Sequence, residues 1–316
     1  MPNFINAFEE DVYQGLTAYP KKLSSKYFYD EKGDKIFQQI MNMPEYYLTN
    51  AEYNIIETHK KSLAEKFAGP TGFDLIELGA GDGKKTKVLL KYLNDEQYKF
   101  TYLPIDISKY VLKDLKESLA VELPNVDVQP QEGMYFEVLS KLAEYKHRKK
   151  VIMVLGSNIG NLLHEKAIEF LQNIQQSMNE GDLLFMGFDQ KKHPQQIINA
   201  YSDKAGITEA FNKNLLTRIN RELEANFDLD QFLHWETYDP ETGTAKSFLV
   251  AKENLKVTLK KLHLTVNFDA WETIHTEISQ KYDDHTVNWL AERSNLKVID
   301  QFTDDNNLFK NYVFSI

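Results

Sequence analysis

The sequence predicts an α/β fold, and three observations lead to it. Between about 55 and 190, strand-like apolar runs alternate with amphipathic helical patterns, which implies a parallel sheet with helices on both faces. The first run, 73–79, ends in a glycine-rich turn (Gly79, Gly81, Gly83), and a helical pattern with Val88, Leu89, Tyr92 and Leu93 on one face follows at once. A strand–turn–helix unit of this kind brings backbone N–H groups and a helix N-terminus close to a ligand. After a long interruption, two β-rich runs at 296–302 and 309–314 flank the turn cluster Asp304-Asp305-Asn306-Asn307, so the sheet finishes in a hairpin.

Taken in order, the candidate strands are 73–79, 100–107, 126–130, 150–156 and 182–188. The fourth and fifth are almost wholly apolar, Val151 to Leu155 and Leu183 to Met186, as befits central strands covered on both sides. Between strands, Leu112, Leu115 and Leu119 make one helical face, and Ala167, Leu171, Ile174 and Met178 another. The second strand carries Asp106 at its carboxyl end, where an acidic side chain accepts hydrogen bonds from ribose in nucleotide-binding α/β folds. At 190 the alternation stops, and about ninety residues intervene before a final helix at about 285–294. That stretch has no repeat, low-complexity tract or Gly/Ser linker, so it reads as packed rather than tethered. The expected organisation is a ligand-binding domain made of 51–189 and 281–316, with 1–50 and 190–280 forming a second lobe.

Composition narrows the function. The 316 residues are 42% hydrophobic and 27% charged, which is globular. With no cysteine, disulfide and thiolate chemistry are excluded. Glu9, Glu10 and Asp11 interrupt the N-terminal segment, so it does not read as a signal peptide. No apolar run approaches the roughly 18–20 residues of a membrane span. A cytoplasmic monomer is expected. A net charge of −10 disfavours a nucleic-acid partner, and the basic run at 146–150 reads as a solvated loop before a strand. The histidines are scattered, without metal-ligand spacing, so no metal is expected.

The glycine turn is G-x-G-x-G, with Lys84 where a dinucleotide fingerprint places its third glycine. Preceded by Glu77, it resembles motif I of class I S-adenosylmethionine (SAM) methyltransferases, whose ligand has no phosphate. The terminal hairpin is similar to the usual finish of their Rossmann-like sheet. More specific stretches follow: Tyr27-Phe28-Tyr29-Asp30, Met43-Pro44-Glu45-Tyr46-Tyr47-Leu48-Thr49, Leu155-Gly156-Ser157-Asn158-Ile159-Gly160-Asn161, Ala200-Tyr201, Asn220-Arg221-Glu222-Leu223 and Thr276-Glu277-Ile278-Ser279. In this order, over about 20–316, they resemble the histidine-specific SAM-dependent methyltransferase family. Its best-known members act in ergothioneine biosynthesis, converting L-histidine to its trimethyl betaine, hercynine. Other relatives methylate different amino-acid amines.

The resemblance implies a class I SAM-methyltransferase sheet with a substrate-binding lobe, SAM as cofactor and a small amino acid as acceptor. Asn161 and Tyr201 would hold the substrate carboxylate, Glu277 and Ser279 the imidazole, and Tyr46 would reach the same ring. Tyr29, placed in the catalytic role, and Gly156 would lie near the amine. Gly79, Gly81, Lys85 and Asp106 match cofactor positions, with Met134 and Tyr135 beside the adenine. Period-2 spacing puts Glu277 and Ser279 on one face of a strand. There are two departures from the family. Met134 stands where an aspartate usually accepts from the adenine amino group, so that hydrogen bond is lost or replaced. Ser247 stands where the histidine enzymes carry a methionine, which implies a wider or more polar side-chain pocket. Two other readings are an Nα-methyltransferase of a different amino acid and a non-catalytic SAM-binding protein.

Overall fold

A computed structural model describes residues 4–142 and 148–316. The chain divides into two compact units, Met1–Tyr47 with Lys192–Gln280 and Leu48–Lys191 with Lys281–Ile316. In chain order the elements begin α1 (Ala7–Thr17), β1 (Lys21–Lys22), α2 (Glu31–Met41), α3 (Leu48–Phe67), β2 (Phe73–Leu78), α4 (Lys84–Asp95), β3 (Phe100–Asp106), α5 (Lys109–Glu122), β4 (Gln131–Glu132) and α6 (Tyr135–Leu142). There follow β5 (Lys149–Val154), α7 (His164–Gln176), β6 (Leu183–Asp189), α8 (Pro194–Tyr201), α9 (Ile207–Leu223), β7 (Phe232–Asp239) and β8 (Thr244–Ala251). The remaining elements are β9 (Leu255–Leu259), β10 (Leu264–Phe268), β11 (Thr273–Gln280), α10 (Asp284–Arg293), β12 (Lys297–Thr303) and β13 (Phe309–Ser315).

The unit containing α3 to β6 holds a seven-stranded sheet in the order β12-β13-β6-β5-β2-β3-β4. Strands β6, β5, β2, β3 and β4 run parallel, while β13 pairs antiparallel with both β6 and β12. Its apolar strands make the core. Ile76, Leu78, Ile105, Ile152, Val154, Leu184 and Met186 are buried with Ala167, Leu171 and Ile174 of α7 and Val287, Leu290 and Ala291 of α10. This is the α/β sheet with a terminal hairpin that the alternation predicts.

One strand departs from expectation. The ladder next to β3 forms at Gln131–Glu132 rather than over 126–130. The earlier segment touches β3 only around Tyr102, whose N–H donates to the Asp127 carbonyl at 2.8 Å and whose carbonyl accepts from the Gln129 N–H at 2.8 Å. The next donor on this side of β3 is Pro104, which has no N–H to give to the Gln129 carbonyl, so the ladder breaks between the two segments. Within the basic run, Lys146 and His147 lie outside the described residues. Arg148 donates to the Phe73 carbonyl at 2.8 Å and sits 3.2 Å from Asp74.

The other unit is built around α9, whose Phe211, Leu215, Leu216, Ile219 and Leu223 pack with Phe8, Val12 and Leu16 of α1. A four-stranded sheet, β1-β11-β8-β7, contributes Phe232, Leu249, Ala251 and Ile274 to the same core. Along β7 burial alternates, with Phe232, His234 and Glu236 inside and Leu233 and Trp235 outside, the period of a strand with one covered face. Asp30 caps α2 by accepting from the Gly33 N–H at 2.8 Å. Among the described residues, no helix is long and apolar enough to cross a membrane.

Candidate functional site

The glycine turn opens the carboxyl edge of the seven-stranded sheet. Gly79 and Gly81 both have left-handed backbones, with φ of 74° and 54°, which favours glycine at each. A side chain at Gly79 would meet the Tyr135 hydroxyl at 2.7 Å, whereas Gly81 faces open space within 4 Å. Half-buried Asp106 ends β3, and its Oδ1 accepts from the Ser108 N–H at 2.9 Å. Its Oδ2 has no hydrogen bond among the described residues. The Gly133 N–H donates to the Asp106 carbonyl at 3.2 Å, which brings Met134 to the end of β3. Met134 is 62% exposed and Ile107 is 69% exposed, so two large apolar side chains stand uncovered in the segments flanking a free carboxylate oxygen. Tyr135 is half-buried. Burial, followed by the charges of Asp106 and Glu77, pushes its hydroxyl up to about 12, so it stays a neutral phenol.

Behind the turn lie two buried carboxylates. Glu77 accepts from Thr86 Oγ1 at 2.7 Å and from the Tyr102 hydroxyl. Burial raises its pKa to about 7 against the pull of those donors and of Lys85. Glu52, on α3, is fully buried. Its Oε2 accepts from Lys85 Nζ at 2.5 Å and from the Gly156 N–H at 2.7 Å, and its Oε1 accepts from Asn311 Nδ2 at 2.9 Å. Lys85, at 22% exposure, brings a cation to the turn. An open glycine backbone, an acceptor at the end of β3, exposed apolar side chains and a cation match the amino-acid, ribose and adenine parts of SAM in kind.

The segment after β5 has a constrained start. Gly156 and Ser157 both have positive φ, 81° and 57°, and Ser157 is a non-glycine residue in a costly conformation. Its hydroxyl accepts from the Asp189 N–H at 2.9 Å, and the Ile159 carbonyl accepts from the Tyr282 hydroxyl at 3.1 Å. Asn161 follows, exposed, at the end of a short 3-10 turn, while Leu163 occupies the N-cap of α7. The asparagine amide is therefore not used as a helix cap.

The remaining residues that the sequence singles out lie on the other unit. Glu277 and Ser279 sit on β11 opposite Ser247 and Ala245 of β8. The register shift in β11 falls before Glu277, so the two keep their period-2 spacing and share a face. The Ser279 hydroxyl lies 2.8 Å from the Tyr201 hydroxyl. The Tyr201 carbonyl lies 2.9 Å from His234 Nε2, and His234 Nδ1 is 2.8 Å from Asn212 Nδ2. Burial lowers the His234 pKa, and the neutral ring links α9 to the end of α8. Tyr46 approaches Tyr201 edge-on, with ring centroids 6.3 Å apart, and Phe37 lies between Tyr46 and Tyr29. Packing around the Tyr29 phenol, then the charges of Glu277 and Asp34, raises its pKa above the ordinary phenol value. Tyr29 is thus a neutral hydrogen-bonding group.

Sequence reasoning misses Ile107 and Glu52. The first could be found as a large apolar residue directly after the acidic strand end. The second carries no signal, because a glutamate in an amphipathic helix reads as a surface residue.

A family model described as histidine-specific methyltransferase, SAM-dependent, matches residues 8–316. The chain is 36% identical to a histidine N-alpha-methyltransferase of Mycolicibacterium smegmatis, over 89% of this chain and 86% of that one. It is 34% identical to the histidine N-alpha-methyltransferase of Mycobacterium tuberculosis, over 95% and 92%. An ergothioneine biosynthesis protein 1 of Schizosaccharomyces pombe is 28% identical over 93% of this chain and 39% of its own length. With a full-length family match joined to a glycine turn, acidic strand end and terminal hairpin of the corresponding kind, the chain belongs to the histidine-specific, SAM-dependent methyltransferase family.

Proposed function

We propose that this protein methylates the α-amino nitrogen of L-histidine, up to the trimethyl betaine. The observation that carries the reading is the polar cluster on β11 and α8: Glu277 and Ser279 on one strand face, with the Ser279 hydroxyl 2.8 Å from that of Tyr201. A carboxylate and a hydroxyl on one face suit a ring with one N–H donor and one nitrogen acceptor. The names of the mycobacterial relatives support the same acceptor.

When bound, SAM supplies an electrophilic methyl group on its sulfonium. Asp106 would accept from the ribose, the Gly79–Gly81 backbone and Lys85 would take the amino-acid end, and Met134 and Ile107 would flank the adenine. On the acceptor side Asn161 and Tyr201 would donate to the carboxylate, neutral donors that add no charge. Glu277 and Ser279 would read the imidazole, with Tyr46 against the ring. Tyr29 and Gly156 would lie by the amine. The α-amine must shed a proton, to solvent water, to expose its lone pair. Because its phenol is held neutral, Tyr29 orients the amine by hydrogen bonding rather than acting as a strong base. Alignment of reacting atoms supplies most of the acceleration.

A second reading, another amino acid as acceptor, is favoured by Ser247. It is 3% exposed, and its hydroxyl donates to Glu236 at 2.6 Å, which makes this row of the sheet polar. Incubating the protein with SAM and each of the twenty amino acids, read by mass spectrometry, separates the two. Histidine should be methylated fastest. Glu277→Ala should erode its advantage over apolar amino acids by a factor of about ten, the worth of one unmatched buried hydrogen bond, while leaving SAM affinity unchanged. Faster transfer to a different amino acid would overturn the ring-reading roles of Glu277 and Ser279.

A further inference from the structure

We propose that Glu52 is the positioning residue that holds the Lys85 ammonium, and with it the start of the 156–161 segment, in place for the carboxylate end of SAM. The inference rests on Lys85 being a SAM ligand. Glu52 has 0% exposure, so it acts through its neighbours. One oxygen accepts from both Lys85 Nζ, at 2.5 Å, and the Gly156 N–H, at 2.7 Å. The other oxygen is tied to Asn311 of β13 at 2.9 Å. The fold makes room for the group: a Cβ at Gly187 would lie only 2.2 Å from Glu52 Oε1. A carboxylate buried this completely persists only when its partners satisfy it, and here those partners come from α4, the loop after β5 and β13.

The chemistry explains why such a residue belongs here. A lysine stem is flexible and loses rotamer freedom when it binds. Clamped by Glu52, the Lys85 ammonium is already fixed when the ligand arrives, so its pairing with the SAM carboxylate incurs little ordering cost. The shared oxygen ties the cation to Gly156, so cofactor contact and the segment leading to Asn161 are set together.

The test is calorimetric titration with S-adenosylhomocysteine, which has the amino-acid carboxylate, and with 5′-methylthioadenosine, which lacks it. The proteins are wild type, Glu52→Gln, Lys85→Met and the double variant, each checked for folding by thermal unfolding. Glutamine can be accommodated because Asn311 Oδ1 has no hydrogen-bond partner among the described residues, so the asparagine amide can turn to accept from it. Glu52→Gln should weaken S-adenosylhomocysteine by about tenfold or more, the range for a charge-assisted hydrogen bond. Its affinity for 5′-methylthioadenosine should not change, and the loss should vanish in the Lys85→Met background. Glu52→Asp, which keeps the charge but withdraws it, should show the same selective loss and serves if Glu52→Gln does not fold. Equal weakening of both ligands, or unchanged or tighter S-adenosylhomocysteine binding, overturns the proposal. If Lys85→Met leaves S-adenosylhomocysteine binding intact, the assignment of Lys85 fails first, and the role of Glu52 falls with it.

Discussion

Raising the pH from about 4.5 to above 7 should destabilise the unit that contains Glu77, and Glu77→Gln should abolish that dependence. The carboxyl is fully buried beside Thr86 and Tyr102, and burial lifts its pKa from 4.5 to about 7. Below pH 4.5 both folded and unfolded chains hold the proton. Between 4.5 and about 7 only the folded chain keeps it. The unfolded state therefore binds fewer protons in this window, and stability falls as pH rises, levelling off once both states are ionised. At 1.36 kcal/mol for each pH unit the loss is about 3 kcal/mol. Trp289 is the tryptophan of this unit, while Trp235 and Trp271 belong to the other and are 55% and 68% exposed. Replacing those two by phenylalanine leaves Trp289 fluorescence as a reporter of urea unfolding. The wild-type stability relative to Glu77→Gln should decline by that amount from pH 4.5 to 7.5 and then stay flat. A difference that does not move with pH would show that the Thr86 and Tyr102 hydrogen bonds outweigh burial and keep Glu77 ionised throughout.

Two further outcomes follow from the same physics. Asp106→Ala should weaken S-adenosylhomocysteine binding by about one to two decades in a protein that still folds, since a charged acceptor is worth about 1.5–3 kcal/mol; unchanged affinity by calorimetry removes Asp106 from the site. Asp30 is held at about 2: burial would raise it, but Arg221, the Gly33 N–H and Asn214 outweigh burial. Its contribution is present above pH 3.8 and lost as pH falls through about 2, so, with solvent screening of a pair whose Arg221 side is half exposed, Asp30→Asn should cost on the order of 1 kcal/mol at neutral pH. Denaturation curves of the two proteins should converge below pH 2, and a constant gap would rule out the ion pair as its source.

The sheet is legible because its signals are local. An apolar run followed by glycines and a 3.6-residue pattern marks β2 and α4 whatever surrounds them, and the hairpin of β12 and β13 announces itself by the Asp-Asn cluster. The third strand is misjudged because of its neighbour: Val126 and Val128 alternate as a strand should, yet Pro104 of β3 lacks the N–H that the Gln129 carbonyl would accept, and the ladder is interrupted there. Residues of the site are legible only where spacing carries geometry, as with Glu277 and Ser279. Glu52 is invisible because its partners lie 33, 104 and 259 residues away, and nothing near it in the sequence distinguishes it from a solvated helix residue. Ser157 is hidden for another reason: positive φ in a non-glycine residue comes from the Asp189 and Ile159 anchors, not from its own preference.

The position of β13 sets an order of events on the ribosome. Strand β6 is buried along its whole length, yet one of its two neighbours is β13, with Leu184 opposite Phe314. While the intervening stretch is being translated, the β6 edge is an apolar ladder with open N–H and C=O groups, the kind of edge that recruits other chains. Asn311, which anchors Glu52, arrives just as late. Closure of the β6 edge, and with it the anchoring of Glu52, therefore waits until β13 has been made.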